Sequence, residues 1–571
     1  MWQFHHLFLF FLVQTTIAQN SYPQDYFNSP LDINLLLSGT FAELRSNHFH
    51  SGLDIKTQHR EGLNVYTAAK GYISRIKISH FGYGKALYIT HPNGYTTVYA
   101  HLKKFSPIIE AYVKQRQYND ESFEIELFPD ISSLPINTND IIAYSGNTGG
   151  SGGPHLHFEI RDKQERPINP MLFGIDIQDS KKPQITSIYA YPIGENAHVN
   201  LKKEMTELRL KKHTDDRYSI ENIQAFGKIG FGIETFDRQD LAANKNGVSN
   251  IQTHYNGNKN FELDFKRFSF NETKHLNRLI DYEYYQNEKS RIQKLFIEQN
   301  NPLSLYKNHI DNGYLRIEDS TASVYKIQIK DYHGNNTQVT LNINGIEIDS
   351  LKKSVTKTTD FFIQANQATS LEKENVSVSI PTNTFYDDFF IDFNVVNDTL
   401  TLHQNVVALQ KNLIINFDIS GYNDLDKNQL FIGRLSKYGK KLYYVSALKK
   451  KNILTAYTKT LGTYAVGIDN DKPIIEPFNF FKGKWLSKYR FLKIKISDET
   501  SGIKSYRATI NGAWILMEYD YKKNMLTYDF NDEMMTNETK YKLKVIVIDN
   551  VGNSSTFETD FYRFWGEHGA G

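Results

Sequence analysis

Pro154-His155-Leu156-His157-Phe158-Glu159-Ile160 alternates as a β-strand does, with Leu156, Phe158 and Ile160 on one face and His155, His157 and Glu159 on the other. Two imidazoles on one strand face can serve one reacting centre. The run before it, Ser145 to Gly153, contains five glycines and lets backbone approach a ligand closely. It is not a phosphate loop, because no Gly-Lys-Ser/Thr follows. Gly82-Tyr83-Gly84 likewise reads as a turn. Upstream, His48-Phe49-His50-Ser51-Gly52-Leu53-Asp54-Ile55 puts His50, Gly52 and Asp54 on one side of an extended segment. Gly52 there leaves room between two side chains that could be ligands. His48 has the opposite parity and reads either as a surface residue or as one standing behind the ligands. Val98-Tyr99-Ala100-His101-Leu102 presents a further histidine at a strand end. Zinc takes imidazole nitrogen and carboxylate oxygen at about 2.0–2.2 Å, with three protein ligands and a water in catalytic sites. His50, Asp54 and one histidine of the later pair would supply such a set.

Short β-type elements must position these residues. The chain has 571 residues, enough for three or four domains at about 150 residues each. Its 66 basic and 64 acidic residues leave a formal charge of +2, so no excess positive field would attract a nucleic acid. Cysteine is absent, which excludes disulfide scaffolds, thiolate metal sites and a cysteine nucleophile. Beyond about residue 175, glycine thins out and period-2 runs such as Phe491 to Ile496 and Tyr541 to Val547 alternate with polar turns, as in antiparallel sandwiches. An internal repeat accompanies them. Asp179-Ser-Lys-Lys-Pro183 recurs as Asp469-Asn-Asp-Lys-Pro473, and each copy is followed by Asp-x-x-Gly-Asn, at Asp331–Asn335 and Asp549–Asn553. The fold class expected is mainly β: a compact antiparallel β-sheet domain at 20–175, followed by β-sandwich (Ig-like) modules. These span 180–345, a less typical β-rich segment at 350–468, and 470–563. Thr273 to Glu298 is expected to be a helical or long-hairpin insertion. Asp424-x-Asp426-x-Asn428 begins like a calcium loop but lacks its central glycine and has Leu435 where the bidentate glutamate belongs, so it reads as a turn.

The motifs of the first domain together resemble the lysostaphin-type zinc metallopeptidases, peptidoglycan endopeptidases of bacterial cell walls. The resemblance rests on His-x-x-x-Asp, a Tyr-Ala-His-Leu strand, and a glycine-rich stretch running into Pro-His-Leu-His-Phe-Glu. It covers about 40–175 and includes Gly71-Tyr72-Ile73 and His91-Pro92-Asn93-Gly94. It implies that His50, Asp54 and His157 are zinc ligands and that His101 and His155 are non-ligand histidines at the reacting centre. No His-Glu-x-x-His helix occurs, so the proton-transfer role falls to histidine, whose ordinary pKa suits it. We assign His155 as general base and His101 as the residue orienting water or charge; the exchanged roles satisfy the same chemistry. Glu159 is either the acceptor for a ligand histidine or a salt-bridged surface carboxylate. Some relatives use a tyrosine upstream of the first histidine to stabilise the oxyanion, whereas this chain has Glu43-Leu44-Arg45-Ser46-Asn47; Arg45 either supplies that positive charge or, as the preferred expectation, pairs with Glu43 or another acid. The segment Lys114 to Asp140 is an insertion expected to rim the cleft.

The resulting expectation is an exported zinc-dependent endopeptidase hydrolysing peptide cross-links of peptidoglycan. The alternative is a non-catalytic cell-wall-binding or envelope regulatory protein that keeps the scaffold. Retention of all five residues favours the enzyme. Leu7 to Val13 followed by Thr16-Ile17-Ala18 reads as a signal peptide over 1–18, too short an apolar run to span a bilayer. The mature chain is thus expected in the periplasm, at the envelope or outside the cell, without a transmembrane span. Its C-terminal modules would be free to engage an envelope partner.

Overall fold

The structure is a computed structural model and describes residues 22–348, 351, 358–437, 439, 441–532 and 538–564. The signal peptide expected over 1–18 lies outside the described residues. The chain is mostly antiparallel β-structure.

The first domain is built on β1 (Leu37–Gly39), β2 (Leu53–Lys56), β3 (Asn64–Tyr66), β4 (Gly71–Ile78), β5 (Lys85–Thr90) and β6 (Thr96–Ala100). It continues through β7 (Lys104–Phe105), helix α1 (Pro107–Asn119), β8 (Ile125–Leu127), β9 (Pro135–Ile136), β10 (Ile141–Tyr144) and β11 (His155–Arg161). The main sheet runs in the order β1-β2-β11-β6-β5-β4-β8, and β3-β10-β7 form a smaller one. Alternation assigns the two faces of the main sheet. Ile55, Ile76, Leu87, Tyr99, Leu156 and Phe158 enter the large hydrophobic core. On the opposite face Ala86, Tyr88, Val98 and Ala100 form a small apolar floor against Tyr83. His155, His157 and Glu159 rise from this second face. Small side chains at Ala86 and Ala100 leave the space that a polar site needs.

The insertion is anchored on the outer edge of the main sheet. Its strands β8 and β9 pair with β4, at the sheet edge remote from β2. An exposed strand edge needs backbone partners, and Ile125–Leu127 provides them. The outer face of the insertion and α1 meets the last module, through Lys114 with Asp532, Glu121 with Arg507 at 2.6 Å, and the Tyr118 ring against Trp514.

The second module is dominated by the long strands Gln184–Val199 and Arg217–Phe236, which pair antiparallel; the latter also runs parallel to Asn336–Gly345. Its core is continuous with that of the first domain, where Phe41 and Phe49 each pack against Phe268 with ring centroids 5.3 Å apart. The 273–298 segment forms short helices, Leu276–Leu279 and Tyr282–Glu288. Asp281 caps the second, accepting from the Tyr284 amide at 3.0 Å. Two five-stranded sheets follow over 369–468 and two four-stranded sheets over 474–562, each pair enclosing its own core. Among the described residues no helix is long and apolar enough to cross a membrane.

Candidate metal centre

Antiparallel register places Asp54 of β2 directly opposite His157 of β11, and Ala100 of β6 on the other side of His157. His101 follows Ala100, and His50 lies four residues before Asp54 in the connection entering β2. Three donor atoms therefore converge. His50 Nε2 is 3.0 Å from Asp54 Oδ1, His157 Nδ1 is 2.9 Å from the same oxygen, and the two nitrogens are 3.1 Å apart. All three side chains are buried.

Each donor is oriented by a group behind it. His50 Nδ1 donates to the Thr40 carbonyl at 2.7 Å, which leaves Nε2 facing Asp54. His157 Nε2 donates to Glu159 Oε1 at 2.8 Å, which leaves Nδ1 facing Asp54. Arg45 donates to Asp54 Oδ2 at 3.1 Å and also reaches Glu43 at 3.3 Å, so its expected acid pairing includes a donor residue. Glu159 itself is fully buried and is not a surface carboxylate. Its Oε2 accepts from Arg161 at 2.6 Å, and its Oε1 also accepts from Ser51 at 2.7 Å and from Tyr83. The Tyr83 ring stacks on His157 with centroids 5.1 Å apart. Tyr83 is thus a site residue that the turn reading of Gly82-Tyr83-Gly84 missed; no local pattern links it to Glu159, 76 positions away.

The two other histidines share one construction. His101 Nδ1 donates to the Thr148 carbonyl at 2.8 Å, and His155 Nδ1 donates to the Gly153 carbonyl at 2.8 Å. Both acceptors belong to the glycine-rich loop. The loop's role in the protein is to supply carbonyls that fix two imidazoles with Nε2 toward the centre. His155 Nε2 lies 3.4 Å from Asp54 Oδ1, and the His101 and His155 rings are 4.7 Å apart. Gly149, at φ +68°, is pressed against Gly84, whose amide nitrogen would be 2.3 Å from a Cβ there. Gly52 has a different purpose from the one expected. A Cβ on it would meet the Phe158 carbonyl of β11 at 2.3 Å, so glycine permits the β2–β11 approach rather than spacing the two donors. His48 is exposed, as its parity suggests, and bonds to the Ser46 carbonyl.

Charge is arranged to match. Burial works to raise the Asp54 carboxyl, but the facing His50, His155 and His157 outweigh it and hold it well below the usual carboxylate range. Burial opposes protonation of His157, yet its bonds to Asp54 and Glu159 raise it to about 9; a metal binding at Nδ1 would displace that proton. Burial, followed by the neighbouring His157 and His155, pushes His101 down to about 3, so its Nε2 is a free acceptor.

Distant modules brace the site. The Gly247 amide donates to Thr40 Oγ1 at 3.0 Å, so the second module holds the residue whose carbonyl fixes His50. From the last module, Tyr521 reaches the Gly149 carbonyl at 3.3 Å, and Lys522 Nζ donates to the Asn147 and Ser151 carbonyls, the latter at 3.1 Å. Buried Lys85 pairs with Glu518 at 2.7 Å beside them.

The mainly β first domain thus presents a buried His-Asp-His cluster that could hold a metal ion, with two further carbonyl-fixed histidines beside it. Residues 48–118 match Peptidase family M23, and residues 360–469 match the Zu5-like domain. DD-carboxypeptidase/endopeptidase Mpg of Neisseria meningitidis serogroup B is 34% identical over 132 residues, covering 23% of this chain and 24% of that protein. An uncharacterized metalloprotease of Haemophilus influenzae is 30% identical over 122 residues, 21% of this chain and 20% of that protein. A zinc-containing peptidase from Vibrio cholerae is 25% identical with a TM-score of 0.20, covering 27% of this chain and 41% of that one. The chain spans about a quarter of the length of the curated relatives it matches. The likeness to Peptidase family M23 falls within the first domain, at residues 48–118.

Proposed function

We propose that the chain is an exported, zinc-dependent endopeptidase that hydrolyses peptide cross-links of peptidoglycan. The supporting observation is the triangle of His50 Nε2, Asp54 Oδ1 and His157 Nδ1, with sides of 2.9–3.1 Å. Tetrahedral zinc with bonds of about 2.0–2.2 Å separates its donors by about 3.3–3.6 Å, so a small expansion accommodates it. Two neutral nitrogens and one carboxylate suit zinc, and the outer bonds to Thr40, Glu159 and Arg45 pre-set the donor lone pairs. Zinc in such a site acts as a Lewis acid toward a peptide carbonyl and lowers the pKa of bound water.

The chain's own groups handle the proton and the geometry. His155, with Nδ1 committed to the Gly153 carbonyl, keeps Nε2 as the acceptor that takes a proton from water and returns it to the leaving amine. His101, fixed through Thr148, orients the same water or the developing charge from the neighbouring strand end. The glycine-rich loop holds both imidazoles through its Thr148 and Gly153 carbonyls. The DD-carboxypeptidase/endopeptidase name of the Neisseria relative supports a cell-wall peptide as substrate.

The test is mass spectrometry of material released from purified sacculi by the full mature chain and by His157→Ala. Soluble cross-link peptides released by the wild type, lost with the variant and on chelation, are expected. A folded, zinc-loaded wild type that is inert on every sacculus type would overturn the reading.

A further inference from the structure

The Asp-x-x-Gly-Asn repeat has no part in the peptidase chemistry, and the structure builds the same turn from both copies. In the second module Asp331 N donates to Asn335 O at 3.1 Å, and Asn335 N donates back to Asp331 Oδ1 at 2.9 Å. In the last module the corresponding Asp549 and Asn553 bonds are 3.1 and 2.8 Å. The asparagine amide then reaches the first repeat element, Asn335 to the Asp179 carbonyl at 3.1 Å and Asn553 to the Asp469 carbonyl at 2.7 Å. A third acid follows the end of a strand in each module, Asp237 after Arg217–Phe236 and Asp498 after Phe491–Ser497. Three segments distant in sequence thus bring three carboxylates together in the last module, and in the second module Asp237 lines one cavity with Asp179 and Asp331. One oxygen each from Asp469, Asp498 and Asp549 lies within 4.8 Å of the others, and Asp179, Asp331 and His333 gather in the same way.

His333 is the one basic side chain gathered with Asp179 and Asp331 among the described residues of that cluster. None of the six carboxylates forms an ion pair with lysine or arginine among the described residues. Asp549 is fully buried; its Oδ1 accepts from the amides of Val551, Gly552 and Asn553, while its Oδ2 has no hydrogen-bond partner. Asp237 is 3% exposed and Gln239 2% exposed, and Asp237 Oδ1 and Gln239 Oε1 are also without partners. With Asp179 and Asp331 they line a cavity of about 30 Å³ that Phe41 and Met171 of the first domain close from the other side. Burial and mutual repulsion raise the Asp237 carboxyl to about 8 and Asp179 to about 6, and burial, with Asp469 and Asp549 adding to it, also raises Asp498. Buried oxygens with negative charge and no donor facing them require either a proton or a cation.

We propose that each of these two modules binds one calcium-class divalent cation, through Asp179, Asp237 and Asp331 in the second module and Asp469, Asp498 and Asp549 in the last. Calcium takes 6–8 oxygen ligands at about 2.3–2.6 Å in flexible geometry, whereas magnesium demands a near-ideal octahedron and zinc prefers nitrogen and sulfur. The first site lies where the second module meets the peptidase domain, close to Thr40. The last site stiffens the module whose Tyr521 and Lys522 hold the glycine-rich loop. The cations are therefore structural ties between the tail and the active-site walls, in the weak affinity range of about 10⁻⁴–10⁻³ M that extracellular modules use.

The full mature chain, stripped of metal and reloaded with zinc, is titrated with calcium by calorimetry and melted with and without it. Wild type is expected to take up two calcium ions and to melt several degrees higher at about 10 mM calcium, tenfold or more above such dissociation constants. Asp237→Asn and Asp549→Asn are each expected to take up one, and the double variant none, with zinc content unchanged throughout. Asparagine at 549 keeps a carbonyl oxygen for the three amides, so the turn survives, and circular dichroism of the calcium-free variants checks it. Fewer than two calcium ions in the wild type would show that protons alone satisfy the clusters and would overturn the proposal. So would a folded double variant that still binds calcium and still gains stability from it.

Discussion

Replacing Glu159 by glutamine keeps the side chain's shape while exchanging one oxygen for an NH₂ group and removing one charge. Four donors now compete for the two oxygens: Oε1 accepts from His157 at 2.8 Å, from Ser51 at 2.7 Å and from Tyr83, and Oε2 accepts from Arg161 at 2.6 Å. A glutamine that turns its oxygen to Arg161 presents N–H to His157 Nε2–H. The imidazole must then move its proton to Nδ1, the atom that faces Asp54 and would hold the metal. A glutamine that turns its oxygen to His157 instead leaves the Arg161 charge facing an N–H, with only Glu165 at 3.1 Å as compensation. Loss of a group behind a metal-binding histidine costs about 10–100-fold in affinity, or about 1.4–2.8 kcal/mol. Breaking a buried ion pair costs about 3–5 kcal/mol, and the remaining Glu165 contact places this variant at the lower end. Zinc affinity by competition with a chromophoric chelator measures the first quantity, and urea unfolding of the metal-free protein measures the second. A Glu159→Gln protein with wild-type zinc affinity would refute the tautomer reasoning, whatever its stability.

Other outcomes follow from the same geometry. His155→Ala and His101→Ala should each retain one zinc while cutting kcat by about 10²–10⁴-fold, the usual worth of a positioned proton-transfer group; metal analysis beside a sacculus assay checks both halves. Lys522→Ala removes an exposed lysine's bonds to the Asn147 and Ser151 carbonyls, worth about 0.5–1 kcal/mol of loop order. It should lower kcat/KM and increase amide hydrogen exchange across 146–153 with zinc content unchanged. Gly52→Ala forces a methyl to 2.3 Å from the Phe158 carbonyl and should destabilise the domain by about 1–3 kcal/mol, read as a fall in Tm.

Local pattern made part of this architecture legible. Alternation alone puts His155, His157 and Glu159 on one face of β11 because the period-2 geometry of a strand is independent of its neighbours. The tail's β-character and its internal repeat are visible for the same reason. What local pattern cannot carry is which strand lies beside which. The Asp54–His157 pairing depends on the β2–β11 register, and the role of Gly52 follows from that pairing rather than from its own segment. Tyr83, the Thr148 and Gly153 carbonyls, and the bracing by Gly247 and Lys522 are all contacts across long sequence separations. The insertion is a similar case: its strand pattern is readable, but its attachment to the β4 edge is decided by which edge needed a partner. The three-acid clusters are a further case. A contiguous run such as Asp424-x-Asp426-x-Asn428 is visible in sequence, whereas the acids that converge come from segments up to 152 residues apart, between Asp179 and Asp331.

Zinc-edge X-ray absorption on the purified mature chain tests most directly whether His50, Asp54 and His157 hold the catalytic metal. The expected spectrum shows two imidazole nitrogens and oxygen donors at about 2.0–2.2 Å with no sulfur, and loses one imidazole contribution in His157→Ala. A zinc shell with three or more imidazoles, or one unchanged by His157→Ala, would contradict the assignment of the site.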